Sequence, residues 1–156
     1  MLLIDQDFLP QAQALIGVAK NRIDVATFKA EISHLPKGKR LWQFFEELFK
    51  KRDQGVEINF LINWHTNRRS VPLTNLFVIK ELKRRKINVR ILPNDRCCHA
   101  KILIIDRHIA IIGSHNLSIK SCHNNFEMSY LIQKPADIAR LGTSFDHVFL
   151  NSKIPQ

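Results

Sequence analysis

The densest group of reactive side chains lies in the stretch HAKILIIDRHIAIIGSHN, residues 99–116. His99 and Lys101 are two residues apart, and side chains at that spacing point to one face of a strand, so an imidazole stands beside a fixed cation. Ser114 and Asn116 repeat the spacing further along. Lysine and asparagine supply donors for phosphate oxygens, while an imidazole can attack phosphorus or protonate a leaving oxygen. The stretch is therefore suited to phosphate chemistry.

Two apolar runs must position these residues. Residues 100–105 and 109–112 are rich in isoleucine, and the short polar segment Asp106, Arg107 and His108 joins them. This pattern predicts a hairpin of buried strands. His99 and Lys101 would then lie at the start of the first strand, and Ser114 and Asn116 just after the second.

The rest of the chain alternates between the two hydrophobic periods. The patterns predict helices at 7–20, 40–52, 73–86 and 135–150, strands at 22–32, 56–62, 88–92 and 127–133, and a polar loop at 63–72. The order strand, helix, strand, helix, strand favours parallel pairing. We therefore expect an α/β fold, with a mixed, largely parallel sheet and helices on both faces. One domain would span residues 1–156, with an N-terminal helix within 1–21 and a core over 22–150.

The spacing of the reactive residues resembles that of the phospholipase D superfamily. Seven positions carry the resemblance: His99, Lys101 and Asp106 as H-x-K-x4-D, Gly113, Ser114 and Asn116 as G-S-x-N, and Glu127 as the downstream glutamate. The resemblance covers most of residues 22–150. The small single-motif members to which the chain is similar are homodimeric endonucleases and cardiolipin-hydrolysing or RNA-cleaving relatives.

The resemblance implies a role for each residue. His99 would be the nucleophile that forms a phosphohistidine, and a second His99 from a partner chain would protonate the leaving group. Lys101 and Asn116 would bind the non-bridging oxygens, with a further hydrogen bond from Ser114. Glu127 would hold the imidazole in the useful tautomer.

The resemblance supports a catalytic role for Asp106 less well than for the other motif residues. The motif places it among the catalytic candidates, yet it falls at the predicted hairpin turn. An aspartate at a turn commonly satisfies backbone donors, so a structural role is the favoured interpretation.

Several side chains around the motif could bind a metal. The metal-capable residues are Cys97, Cys98, His99, His115, Cys122 and His123. No C-x2-C pair is present, and adjacent cysteines make poor joint ligands for a tetrahedral site, so zinc is the less favoured alternative. The cysteines fit small buried side chains and a reducing, cytoplasmic compartment. We expect no metal and no cofactor.

The charge of the chain favours a polyanionic partner. The net charge is +10, and residues 37–107 carry all of the excess, with 17 basic and 7 acidic residues. This favours nucleic acid, DNA ahead of RNA. Trp64, Arg68 and Arg69 could stack on bases and meet phosphates, although an exposed loop without a role fits as well. The basic runs 50–52 and 83–86 fit either solvated helix ends or substrate contacts.

Together these observations predict a metal-independent nuclease that hydrolyses phosphodiester bonds. Of seven histidines, only His99 is followed two residues later by lysine, so a two-histidine mechanism needs a homodimer with a shared active site. A phospholipase that acts on an anionic lipid such as cardiolipin is the first alternative, and a non-catalytic phosphate-binding module is the second. No stretch has the apolar length of a membrane span, so we expect no stable membrane insertion.

Overall fold

The computed structural model describes residues 1–33, 36–64, 70–94 and 96–156. These residues form seven strands and five α-helices. The strands are β1 (Leu2–Ile4), β2 (Arg22–Thr27), β3 (Glu57–Ile62), β4 (Asn88–Arg90), β5 (Ile102–Ile105), β6 (Ile109–Gly113) and β7 (Met128–Ile132). The helices are α1 (Phe8–Val18), α2 (Lys39–Asp53), α3 (Ser70–Arg84), α4 (Ile119–His123) and α5 (Pro135–Leu150).

All seven strands belong to one mixed sheet in the order β1-β7-β6-β5-β2-β3-β4. The β2, β3 and β4 strands are parallel, because α2 and α3 return the chain to the starting edge each time. The pairs β2–β5, β5–β6, β6–β7 and β7–β1 are antiparallel. The mixed α/β sheet is confirmed, and its parallel part is confined to the β2–β4 side.

Helices cover both faces of the sheet, as expected. One face buries Val25, Phe60 and Leu103 against α1, α2 and α3. The opposite face buries Ile104 and Ala110, with their neighbours, against α5. Strand alternation therefore fills two cores from one sheet. In the part of the chain that is described, no helix is long and apolar enough to cross a membrane.

Two short elements escape prediction from the sequence. The β1 strand pairs with β7, so the N-terminal segment joins the sheet. The α4 helix has only five residues. The first predicted strand also ends early, at Thr27, and beyond it Ala30 makes only an isolated bridge to Leu117. These elements are set by long-range contacts, and a short local pattern carries little signal for them.

The β5–β6 turn places two consecutive non-glycine residues in the left-handed region. The φ angles of Asp106 and Arg107 are 49° and 58°. The Asp106 carboxylate compensates by accepting hydrogen bonds from the backbone N–H groups of residues 20, 21 and 22, at 2.7–2.8 Å. The Arg107 guanidinium lies 2.9 Å from Asp24 and 2.6 Å from Asp146. A Cβ on Gly142 would lie 2.0 Å from that guanidinium, so a larger residue there would require the Arg107 side chain to move.

We expect Asp106→Ala to lower the free energy of unfolding by about 2–4 kcal/mol, because hydrogen bonds to a charged acceptor are each worth roughly 1.5–3 kcal/mol before partial exposure reduces them. Burial raises the pKa of Asp106, but the three backbone hydrogen bonds outweigh it and hold the pKa below its usual value. The stabilisation is therefore present above the ordinary pKa and is lost as pH falls through the lowered one.

Urea unfolding between pH 2 and pH 7 measures this effect. Asp106→Asn is the matched control, because asparagine tolerates the left-handed backbone and keeps one acceptor, so its loss should be smaller. Equal unfolding free energies for wild type and Asp106→Ala would show that these hydrogen bonds do not stabilise the turn.

Candidate active site

Five of the predicted site residues meet at one edge of the sheet, which we call the reactive edge. At this edge β2 and β6 end and β5 and β7 begin. The catalytic candidates here are His99 and Lys101 before β5, Ser114 and Asn116 after β6, and Glu127 before β7. The backbone confirms their proximity, since Gly113 N donates to Lys101 O at 3.2 Å and Ser114 N donates to Met128 O at 2.9 Å.

His99 and Lys101 are in direct contact. The Lys101 Nζ lies 3.1 Å from His99 Nδ1 and 3.3 Å from Nε2, and it also donates to the His99 carbonyl at 2.7 Å. The ammonium disfavours a second positive charge on the adjacent ring, so this contact favours the neutral imidazole. Burial lowers the pKa of Lys101, and the negative charge of Glu127 is among the effects that oppose it.

The aromatic ring of Phe28 packs against both groups. Its centroid lies 5.0 Å from that of the His99 imidazole and 5.6 Å from Lys101 Nζ. The second distance allows a cation–π contact, which holds the ammonium without consuming its hydrogen bonds. Phe28 was not predicted as a site residue, because its position after a strand carries no motif.

Two buried asparagines hold the backbone behind His99. Asn75, in the middle of α3 and fully buried, donates to Phe28 O at 3.0 Å and Asn63 O at 2.8 Å, and accepts from Ala30 N at 2.9 Å. The Asn63 side chain accepts from Cys98 N at 3.0 Å. The loops that follow β2 and β3 are thus tied to the residue before His99. An asparagine inside an amphipathic helix was the one available signal, because it weakens the helix unless it is used elsewhere.

Glu127 is held ionised by neighbouring donors. Its carboxylate accepts from Ser114 Oγ, from Ser121 Oγ at 2.8 Å and from Asn125 Nδ2 at 2.9 Å. Burial raises the pKa of Glu127, but the hydrogen bonds from these three side chains outweigh it and lower the pKa below its usual value. Its proposed effect on the His99 tautomer stays a prediction.

Ser121 connects Glu127 to the asparagine of the motif. The Asn116 N–H donates to Ser121 Oγ at 2.8 Å, and the hydroxyl then donates to Glu127. The Asn116 side chain is fixed on its oxygen side, where Oδ1 accepts from Lys29 N at 3.1 Å. Asn116 is therefore oriented through both its backbone and its side chain.

The N-terminal turn braces the same glutamate. Asp5 accepts from Glu127 N through its carboxylate at 2.8 Å, and its own N–H donates to Glu127 O at 3.0 Å. The buried His115 ring lies on Phe8, with its nitrogens 2.7 Å from Ser129 Oγ and 2.9 Å from Asp5 O. Burial lowers the pKa of His115, which indicates a neutral structural imidazole.

The glycine of G-S-x-N is required by close packing. A Cβ on Gly113 would lie 2.2 Å from Ser129 Oγ and 2.4 Å from Ser129 Cα. Any side chain would push β6 away from β7 and would separate Ser114 from Glu127.

Asp106 does not lie with the other motif residues. It follows β5, whereas His99 precedes that strand, so the two residues are at opposite edges of the sheet. The structure therefore supports the structural interpretation of Asp106 and places it away from the other catalytic candidates. The H-x-K-x4-D motif joins two reactive residues to a turn residue that fixes the far end of their strand.

The predicted basic loop contributes little that can be described. Arg68 and Arg69 lie outside the described residues. Trp64 is partly buried against the main core and lines a cavity of about 320 Å³ with Leu76, Ile79 and other apolar residues. Its contact with a base stays a prediction.

The two basic runs meet at the end of the molecule away from His99. Arg52 Nε donates to Lys86 O at 3.0 Å, and the Arg85 guanidinium lies 4.8 Å from the Phe49 ring centroid. This distal basic patch, residues 50–52 and 83–86, precedes β3 and β4. The reactive edge follows β3, so the length of a six-residue strand, roughly 20 Å, separates the two.

The metal-capable residues do not form a ligand set. Among the described residues, no group of three or more His, Cys, Asp or Glu side chains is placed to hold a metal ion. Cys98 and Cys122 are buried, and burial raises their thiol pKa values to about 11 and about 12. Such thiols are protonated at neutral pH and make poor zinc ligands.

The chain matches a known protein family over most of its length. Residues 13–149 match the protein family described as "Cardiolipin synthase, PLD-like domain". A cardiolipin synthase from Alkalihalophilus pseudofirmus is 26% identical over 91 residues, which cover 58% of this chain and 18% of that protein. The chain therefore spans less than a fifth of the length of this relative.

Solved structures show the same fold at low sequence identity. A phospholipase D family member, Nuc, from Salmonella typhimurium superposes with a TM-score of 0.81 and 15% identity, over 100% of this chain and 97% of that chain. NucT from Helicobacter pylori superposes with a TM-score of 0.77 and 15% identity, over 97% and 96% of the two chains.

We expect Ser121→Ala and Asn125→Ala each to raise the pKa of Glu127, because each removes one donor to its carboxylate. Carboxyl-carbon NMR titration of Glu127 measures both shifts directly. Only Ser121→Ala also removes the acceptor of Asn116 N–H, so it alone should shift the Asn116 amide resonance. An unchanged Glu127 titration in both variants would contradict the hydrogen-bond account of its low pKa.

Proposed function

The chain belongs to the family of phospholipase D-like domains, and from that membership we propose that it is a phosphodiesterase that hydrolyses nucleic acid. The observation that carries the proposal is the contact between an exposed His99 imidazole and the Lys101 ammonium. Lysine supplies positive charge for a phosphate, and the neutral ring supplies the nucleophile.

The surrounding residues can perform the remaining steps. Lys101 and the amide nitrogen of Asn116 stabilise the negative oxygens as a ring nitrogen of His99 attacks phosphorus and the bond to the leaving oxygen breaks. The leaving oxygen takes a proton from a second His99, held by a partner chain. Water then attacks the phosphohistidine, returns a proton to that second imidazole and releases the first one.

An exposed apolar surface supports a homodimer. Leu2 and Ile4 on β1 pair with Tyr130 and Met128 on β7, and the four side chains are 41–54% exposed on one face of the sheet. Phe126, next to Glu127, is 76% exposed. A contiguous apolar patch of this kind marks an interaction surface. Because it adjoins the reactive edge, a second copy packed there would bring the two sites together.

Charge supports nucleic acid as the substrate. The net charge of +10 favours a polymer of phosphates, whose binding releases counterions. The family description and the cardiolipin synthase relative favour a second candidate, hydrolysis or transfer at the phosphodiester of an anionic lipid. Both functions would use the same histidine, so a substrate comparison separates them.

We expect His99→Ala to abolish cleavage of labelled single- or double-stranded DNA, and Lys101→Ala to lower kcat by at least about a hundredfold through lost charge stabilisation. Rapid-quench mass spectrometry of the wild type should detect a phosphoryl adduct on His99. Lys50→Ala, in the distal basic patch, is the matched control for loss of one lysine.

The same assay is run with EDTA on DNA, RNA and cardiolipin vesicles. Cleavage should persist with chelator, because a two-metal site needs several carboxylates and the described residues include no group of three or more His, Cys, Asp or Glu side chains placed to hold a metal ion. Turnover of cardiolipin without cleavage of nucleic acid would contradict the nuclease proposal and would support a lipid substrate. Full activity in His99→Ala would remove the phosphohistidine mechanism.

The shared site is tested by subunit mixing. When equal amounts of wild type and His99→Ala are unfolded and refolded together, random pairing leaves about one quarter of the dimers with two histidines. We expect activity near that fraction of the same total protein as wild type, whereas self-sufficient subunits would give about one half. Tyr130→Glu should yield an inactive monomer by sedimentation. An active monomer would contradict the dimer.

A further inference from the structure

A groove beside the reactive edge is lined by cations. It lies between the start of α2 and α4 and has a volume of about 400 Å³; its described lining residues are Pro36, Lys39, Arg40, Ile119, His123 and Asn124. Neither the motif nor the proposed chemistry uses any of these residues. The groove is therefore separate from the His99 site.

The positive charge of the groove is not balanced within it. No Asp or Glu occurs among its described lining residues, whereas the larger grooves, of about 780 Å³ and 460 Å³, both include Asp146. Two acids that contact α4 are already engaged: Glu31 accepts from Ile119 N at 2.9 Å and is paired with Lys29 at 2.6 Å, and Glu127 accepts from Ser121, Asn125 and Ser114. Lys39 and Arg40 also occupy the first helical turn, where the helix dipole disfavours cations.

His123 adds an unused polar atom. Its Nε2 is buried and makes no hydrogen bond within the described part of the chain. A buried ring nitrogen without a partner is costly, and it would gain one if the ring turned toward an anion held in the groove. The exposed Asn124 amide lies next to it.

The α4 helix connects the groove to the reactive edge. Cys122 Sγ contacts Asn116 O at 3.5 Å, and Ser121 Oγ accepts from Asn116 N at 2.8 Å. His123 follows directly. Ile119 and His123 are one helical turn apart, about 6 Å along the axis. A strand whose scissile phosphate lies at the reactive edge would therefore meet the groove further along its backbone.

We propose that Lys39, Arg40 and His123 bind a second, non-reacting phosphodiester of the nucleic-acid strand whose scissile phosphate lies at His99. This proposal rests on the proposed function for the identity of the strand. A substrate with several phosphates would be held at two points, which fixes its direction across the reactive edge. A ligand with one phosphodiester gains nothing from the groove.

Binding is measured in a His99→Ala background, so that cleavage does not consume the ligand. We expect the double variant Lys39→Ala/Arg40→Ala to raise the Kd for a 12-nucleotide single-stranded DNA about tenfold or more, because charge-assisted contacts to phosphate are lost. The matched control is Lys50→Ala/Lys86→Ala, which removes the same charge from the distal basic patch and should change the Kd less than about twofold.

NMR of the His123 ring gives a readout with the groove intact. Adding the 12-mer should shift the His123 Hε1 resonance in the background protein and in the Lys50/Lys86 control, whereas a dinucleotide with one phosphodiester should leave it unchanged. Circular dichroism confirms that the variants are folded.

The outcomes separate the two proposals. If the groove variant loses affinity for the 12-mer while the His99-intact protein cleaves no nucleic acid, the groove stands and the proposed nuclease function fails. The groove proposal would be contradicted if the groove and distal variants lost the same affinity for the 12-mer, or if the His123 resonance did not shift. It would also be contradicted if the groove variant lost as much affinity for the dinucleotide as for the 12-mer, or lost affinity only for cardiolipin vesicles.

Discussion

The antiparallel ladder between β2 and β5 is the contact on which the site depends. It pairs Ile23 with Ile105 and Ala26 with Ile102, and both strands are covered by helices on their two faces. A shift by one residue would exchange the β5 side chains between the two cores, and close packing on both faces opposes that exchange. Because His99 and Lys101 immediately precede this strand, the register brings them to the end of β2, where Phe28 packs against both.

The sequence predicted the reactive pair because its geometry is local. His99 and Lys101 are two residues apart in the segment just before β5, so their contact needed little tertiary information. The supports are different. Asn75 and Asp5 act through hydrogen bonds to loops that are distant in sequence, and neither periodicity nor a short motif indicates such partners. Asp106 shows the reverse case, in which turn chemistry rather than motif membership decided its role.

The hydrophobic patterns predicted the elements of the sheet better than the order of its strands. The helices and the longer strands were recovered from their hydrophobic periods, since each buries a continuous stripe against one core. The order of strands was not fully recoverable, because the two β-α units before β4 suggest parallel pairing, whereas β5 enters on the other side of β2. The net charge likewise gave the number of excess cations but not their positions. In the structure, residues 50–52 and 83–86 lie together, far from His99.

The pair of hydrogen bonds between Asp5 and Glu127 affects the order in which the protein folds. Both join residues 122 positions apart, and contacts of such separation form late because the intervening chain must first be ordered. We therefore expect a chain that has formed the β2–β5 ladder but not the β1–β7 pair to hold His99 beside Lys101 while Glu127 is still unplaced. During synthesis on a ribosome, His99 would be in place before the complete candidate site.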